Sequence, residues 1–282
     1  MRDQVRDYYG DVLQSSGDLK SDACCEISTP EPHILEALTH IHPEVASKYY
    51  GCGLIAPEGL AGKRILDLGC GTGRDVFLLA QLVGETGEVV GVDMTDNQLK
   101  VALEHEAWHA ERFGYAKPNT RFLKGYIEEL DQLDLEPSSF DLVISNCVIN
   151  LSTDKPAVFN GVRHLLKPDG VMHFADVYAE REVPAELRTD PILYGECLAG
   201  ALAWTDFLTI ARESGFEAPD LVDHRPLAIT DEALIAKLDG LKFISATVEL
   251  SPAGASSACC KTTGNPFELP SPHAPSSGTC CG

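Results

Sequence analysis

Basic residues are scarce in this chain. Its 282 residues hold 22 Lys and Arg against 43 Asp and Glu, a formal net charge of −21. Nucleic-acid binding starts from a basic patch, so no nucleic-acid partner is expected. No apolar run approaches a bilayer span, so no membrane partner is expected either. The opening Met1-Arg2-Asp3-Gln4 lacks a basic stretch followed by an apolar one, the mark of an export signal. A cytoplasmic monomer is the expectation. A complete dinucleotide fingerprint is also missing, and no His or Glu stands out as a general base. His164 and His173 fall inside regular element patterns and read as structural.

Cysteine, by contrast, is plentiful, with ten residues. Without an export signal they suggest metal binding, redox work or catalysis rather than a disulfide framework. Cys24-Cys25, Cys259-Cys260 and Cys280-Cys281 are adjacent pairs, whereas Cys52, Cys70, Cys147 and Cys197 stand alone.

The hydrophobic pattern predicts strands at 64–68, 88–92, 119–123, 140–144 and 171–177. Helices are predicted at 1–20, 34–45, 74–82, 97–113, 155–166 and 205–214, the last ended by Gly215. Pro168-Asp169-Gly170 reads as a turn. Alternation of this kind implies an α/β fold with a mostly parallel sheet wrapped by helices. The stretch 242–250 alternates and reads as an edge strand or part of a second sheet. The expected organisation is an N-terminal helix with cysteine-bearing loops (1–59), a cofactor domain (60–178) and a smaller α+β subdomain (179–250). A tail rich in Ser, Pro and Gly (251–282) follows; such a composition cannot bury a core.

The first strand runs into Asp67-Leu68-Gly69-Cys70-Gly71-Thr72-Gly73, a loop between strand and helix. Glycines there let backbone approach a ligand closely. In G-x-G-x-x-G a third glycine would follow, but Arg74 stands at that position. Asp67 would repel a pyrophosphate; it could order the loop or meet the cationic amino-acid end of S-adenosylmethionine. Asp93, twenty residues after Gly73, can accept from both ribose hydroxyls, with Met94 beside it. Gly125-Tyr126-Ile127-Glu128 follows the third strand, where adenine lies in such architectures. These features resemble class I methyltransferases over residues 60–178, with a Rossmann-like sheet. Asp67, Gly69, Gly71, Gly73, Asp93, Met94, Ile127, Glu128 and Asn146 are the expected cofactor contacts within that stretch.

Ser145-Asn146-Cys147-Val148-Ile149-Asn150 leaves the fourth strand at the carboxyl edge, where open α/β sheets bind ligands. Gly195-Glu196-Cys197 sits in the following region, and Tyr49-Tyr50-Gly51-Cys52-Gly53 precedes the first strand. A buried cysteine is usually a small hydrophobe. Three thiols in polar or Gly-flanked loops are more consistent with a soft metal or metalloid. A trivalent metalloid on sulfur keeps a lone pair that can attack the sulfonium methyl, and no proton need leave the nucleophile. Cys70, inside the glycine loop, reads as a small loop residue.

Together these segments, with Asp18-Leu19-Lys20-Ser21-Asp22-Ala23-Cys24, strongly resemble the arsenite methyltransferases over residues 5–250. The resemblance implies methylation of arsenite and methylated trivalent arsenicals by S-adenosylmethionine. It implies that Cys147 and Cys197 hold arsenic, with Cys52 a further ligand. Cys24 and Cys52 would serve arsenic delivery and a disulfide relay, and Tyr50 would lie near the sulfonium. A thiol reductant, thioredoxin or glutathione, would reset the relay. Cys24 and Cys25 compete for one relay position. The tail pairs Cys259-Cys260 and Cys280-Cys281 lie outside the resemblance and could capture arsenite or be dispensable. An organic acceptor such as a quinone, or metalloid sequestration without methyl transfer, are the alternative readings.

Overall fold

A computed structural model describes residues 31–48, 55–190, 193–194, 197–229, 231–254 and 264–268. The expected helix at 1–20 and Cys24, Cys25, Tyr50, Cys52, Cys259, Cys260, Cys280 and Cys281 lie outside the described residues. So do Gly195 and Glu196.

In chain order the described elements begin with helices α1 (Pro32–Leu38) and α2 (Pro43–Ser47). Next come β1 (Arg64–Leu68), α3 (Arg74–Val83), β2 (Glu88–Asp93), α4 (Asp96–Phe113) and β3 (Thr120–Lys124). They are followed by β4 (Phe140–Asn146), α5 (Lys155–Leu165), β5 (Leu166–Ala179), β6 (Leu202–Ala203) and α6 (Trp204–Glu213). The last are β7 (Asp220–Pro226), α7 (Glu232–Leu238) and β8 (Phe243–Leu250). One mixed sheet of order β3-β2-β1-β4-β5-β8-β7 spans the molecule, with β6 paired to β5. β1 through β5 pair in parallel. All but the first residue of β1 and of β2 are buried, as strands covered by helices on both faces must be. Two apolar clusters fill the two faces. Val76, Leu79 and Val83 of α3 contribute to one. Val158, Phe159 and Val162 of α5 join Phe207 of α6 in the other.

The mostly parallel sheet wrapped by helices matches the expected α/β fold class, with three local corrections. The helix expected at 34–45 is two helices, because Pro43 lacks an N–H and pushes His42 out of the helical region, to φ −60° and ψ 134°. The turn expected at 168–170 is an irregularity inside β5. Phe140 pairs with Leu166 but Leu142 pairs with Val171, so the extra residues bulge out. The stretch near 242–250 is neither an edge nor a second sheet. β8 lies between β5 and β7, antiparallel to both, with eight residues paired to β5. The 179–250 region therefore shares the sheet, and its proposed boundary falls at the end of β5. An alternating pattern cannot tell an interior antiparallel strand from an edge, since only the partner differs.

Capping sets α5 in place. Asp154 accepts from the Ala157 N–H at 3.0 Å and Pro156 occupies the first turn. Strand order reverses between β1 and β4, so the chain connections leaving them diverge and open a crevice at their carboxyl ends.

On the α4 side, His109 stacks on Phe77 at 3.6 Å. Its Nε2 accepts from the His42 N–H at 3.1 Å, and its Nδ1 donates to the His105 carbonyl at 2.7 Å. Burial pushes its pKa down from 6.5 to about 4. A base depressed in the folded state stabilises above its unfolded pKa, and that stability is lost as pH falls through the folded pKa. Denaturant unfolding at pH 7.5 and 4.5 should therefore show a stability loss about 2 kcal/mol smaller in His109→Leu than in wild type.

Candidate active site

The crevice beyond β1, β2 and β4 holds a cavity. Asp67, Gly69, Gly71, Asp93, Met94, Ile127, Glu128, Asn146 and Cys147 line it together. Nine residues singled out by sequence thus meet at one place. Gly73 does not line it. With φ +85° it starts α3, and a Cβ there would come within 2.9 Å of the Phe122 ring. Backbone and packing alone already require a glycine there. Cys70 is buried, and its sulfur would lie 2.7 Å from a Cβ on Gly91. It fills the gap beneath the loop as a small apolar group, and burial raises its thiol pKa well above the usual value.

Asp93 organises the glycine loop. One carboxylate oxygen accepts from the Gly71 N–H at 2.9 Å, the other from the Thr95 N–H at 2.8 Å. Each oxygen retains a further lone pair for a hydroxyl. Asp67 is buried, and burial, with Asp75 and Asp93 close by, pushes its carboxyl pKa well up against the pull of Arg74. Asp75 accepts from Arg74 Nε at 2.9 Å and Asn146 Nδ2 at 3.3 Å. Three buried acids around one cavity make an environment that a cationic ligand would relieve. An anionic pyrophosphate would aggravate it.

Cys147 also lines the cavity. This residue follows β4 directly and donates its N–H to the Ala175 carbonyl at 2.9 Å. Its φ is +57°, and that of Cys197 is +61°. Only four non-glycine described residues have positive φ, and two of them are these cysteines. Such geometry costs roughly 1–3 kcal/mol per residue and persists only where surroundings enforce it. Both side chains are buried. The Cys197 thiol donates to the Cys147 carbonyl at 3.3 Å.

The enforcing contacts come from residues that the sequence did not single out. The turn after Cys147 continues through a 3-10 segment, Ile149–Leu151. The Asn150 N–H donates to Asp176 Oδ2 at 3.0 Å, and its side-chain amide to the Val177 carbonyl at 2.6 Å. Lys155 Nζ donates to the carbonyls of Asn150 (3.3 Å) and Ser152 (3.0 Å). From the Cys197 side, the Tyr194 hydroxyl donates to the Leu151 carbonyl at 2.9 Å. Gly200 lies against Asn150 so tightly that a Cβ would overlap the Asn150 carbonyl oxygen. Asp176 is fully buried, and desolvation raises its pKa to about 7 despite its backbone donors and Lys155. No sequence signal marks Lys155, Asp176 or Tyr194: Asp176 and Tyr194 act on a turn 26 and 43 residues away, and Lys155 on carbonyls just ahead of its own helix. The glycine of Cys197-Leu198-Ala199-Gly200 was visible, but its need for closeness was not. His173, expected to be structural, sits within β5 with Nδ1 3.6 Å from Glu249, away from the cavity. His164 is exposed on α5.

Two substitutions test this geometry. Gly200→Ala should push the two cysteine turns apart and cost about 1–3 kcal/mol in denaturant unfolding. Asp67→Asn should keep the fold but weaken binding of S-adenosylmethionine by about 10–100-fold in calorimetry, the effect of one charged contact.

Residues 60–215 match a methyltransferase domain model. The chain is 52% identical over 264 residues to an arsenite methyltransferase of Aquipseudomonas alcaligenes, covering 94% of this chain and 76% of that protein. It is 44% identical over 259 residues to the human arsenite methyltransferase, covering 90% and 69% respectively. It also superposes on the crystal structure of an arsenic(III) S-adenosylmethionine methyltransferase from Chlamydomonas reinhardtii. That match has a TM-score of 0.77 and 47% identity, over 80% of this chain and 75% of the other. The cavity beside a strained cysteine turn and these likenesses agree: the chain belongs to the arsenite methyltransferase family.

Proposed function

We propose that this protein methylates trivalent arsenic with S-adenosylmethionine, holding the arsenic on Cys147 and Cys197. The observation carrying this reading is that Cys147 both lines the cavity and is bonded, through its carbonyl, to the Cys197 thiol. An acceptor held there would lie at the end of the donor cavity, beyond Asn146.

The donor's cationic amino-acid end would face Asp67, its ribose Asp93, and its adenine the Ile127–Glu128 segment. The acidic cavity favours the cationic donor over the neutral-sulfur product, which helps product release. Thiolates suit a soft metalloid. Arsenic bound to sulfur attacks the sulfonium methyl with its lone pair. The As–C bond forms, the S–CH3 bond breaks, and S-adenosylhomocysteine leaves. Arsenic is then formally pentavalent. Two electrons from a pair of thiols return it to the trivalent state and leave a disulfide. Cys24 and Cys52 are the proposed relay residues and Cys52 the proposed third arsenic ligand, with Tyr50 beside the sulfonium. A thioredoxin-type protein or glutathione would reduce the disulfide. Cys259, Cys260, Cys280 and Cys281 are proposed as an outer arsenite-capture set. We place the enzyme in the cytoplasm as a monomer. Among the described residues no helix is long and apolar enough to cross a membrane.

Methylarsenical formation from arsenite, S-adenosylmethionine and thiol tests the reading. Cys147→Ser and Cys197→Ser should each lower the rate by about 1000-fold or more, as loss of an essential ligand does. Full activity in Cys147→Ser would exclude arsenic ligation there and point to an organic acceptor. Cys24→Ser and Cys52→Ser should slow methylation of arsenite more than methylation of methylarsenite.

A further inference from the structure

On the outer side of the donor cavity, α2 meets α4 through a cluster that the reaction does not use. His42 stands just before α2, Glu44 in its first turn and His105 on α4. One ligand atom from each lies within 4.8 Å of the others. His105 Nε2 and Glu44 Oε2 are 2.9 Å apart. The His42 and His105 rings stack at 3.7 Å with an interplanar angle of 21°. Trp108 meets His42 edge-on at 5.0 Å. Beneath them His109 fixes the His42 backbone, so the cluster stands on a rigid base.

Two imidazoles and one carboxylate form the donor set of zinc-like divalent ions and contain no sulfur. Little stands in the way of such an ion. It would replace the proton shared by His105 and Glu44. It would also exchange the 3.2 Å bond from the Glu44 N–H to His42 Nδ1 for a metal bond. Stacked rings send their lone pairs out in parallel, so loading requires one ring to turn toward the other.

A second contact links this cluster to the cavity. Glu44 Oε1 lies 3.6 Å from Lys48 Nζ. Lys48 also lines the cavity where the donor is proposed to bind. The same helix is tied to the glycine loop, because the Thr72 hydroxyl donates to the Val45 carbonyl at 3.1 Å. One carboxylate thus faces a prospective metal on one side and a cavity lysine on the other.

We propose that His42, Glu44 and His105 form a cysteine-free site for a divalent transition-metal ion, and that its occupation releases Lys48 from Glu44 toward the donor cavity. A carboxylate that ligates a dication attracts a second cation far less. The freed ammonium can then meet the donor's carboxylate. The coupling half rests on the donor-cavity reading above, whereas the metal half does not.

Cobalt(II) added to the reduced full-length chain under anaerobic conditions tests both halves. Visible d–d bands of a nitrogen and oxygen site should saturate near about one equivalent. They should be lost in His105→Ala and in Glu44→Gln, both retaining wild-type circular dichroism. Sulfur-to-cobalt charge-transfer bands report the cysteines separately. Bands unchanged by both substitutions, or charge-transfer bands alone, would overturn the site. Calorimetry with S-adenosylmethionine should show about threefold tighter binding with cobalt, the size of one exposed ion pair. Lys48→Met should show no such gain. Equal affinity with and without cobalt in wild type would overturn the coupling. Absence of donor binding in the metal-free wild type would instead refute the cavity reading, and the cobalt spectrum would still decide the metal site.

Discussion

Asn150 is the residue on which the arrangement of the two cysteines depends. Its N–H is held by Asp176, its amide by the Val177 carbonyl, and its own carbonyl by Lys155 on one side and Gly200 on the other. It thereby joins the turn after β4, the end of β5 and the turn around Cys197. Two left-handed cysteines would relax if either turn were independent. Four constraints on one residue keep them in place, and such constraint is how a fold sustains local strain at a working site. Asp176 shows what this costs. A fully buried carboxylate whose pKa is raised to about 7 disfavours its own charge, yet its oxygens accept two backbone N–H groups.

The donor side works by a different means. Asp67, Asp75 and Asp93 are close enough to raise the pKa of Asp67, and burial adds to the effect. Asp93 is partly committed to ordering the Gly71 backbone, and Asp75 to Arg74 and Asn146. Asn146 directly precedes Cys147 in the chain. The acids that line the cavity are therefore wired, through one amide, to Cys147, which lines it too. Methyl transfer needs donor and acceptor aligned to within fractions of an ångström, and a continuous hydrogen-bonded path supplies that alignment better than two separate loops could.

Much of this was legible beforehand. Asp67 through Gly71, Asp93, Ile127, Glu128, Asn146 and Cys147 were marked by their place at strand ends, and strand ends converge wherever a parallel sheet forms. Lys48, Lys155, Asp176 and Tyr194 were not. They are ordinary residues in ordinary local contexts, and contacts such as Asp176 to Asn150 and Tyr194 to Leu151 span 26 and 43 residues. Gly73 carries a structural demand the motif did not spell out: its φ of +85° and the Phe122 ring behind it leave no room for a side chain.

Composition, strand-to-helix alternation and the placement of cysteines determined the fold class, the cationic character of the cofactor and a preference for a soft metalloid, while the family came from the resemblance of whole motifs. Each of these is written in local order or in residue type. Only the tertiary structure decided that β8 lies inside the sheet, that Cys197 reaches Cys147, and that Lys48 stands between a histidine cluster and the cavity. Those facts depend on which surfaces pack together, and packing selects among partners that a linear pattern leaves equivalent.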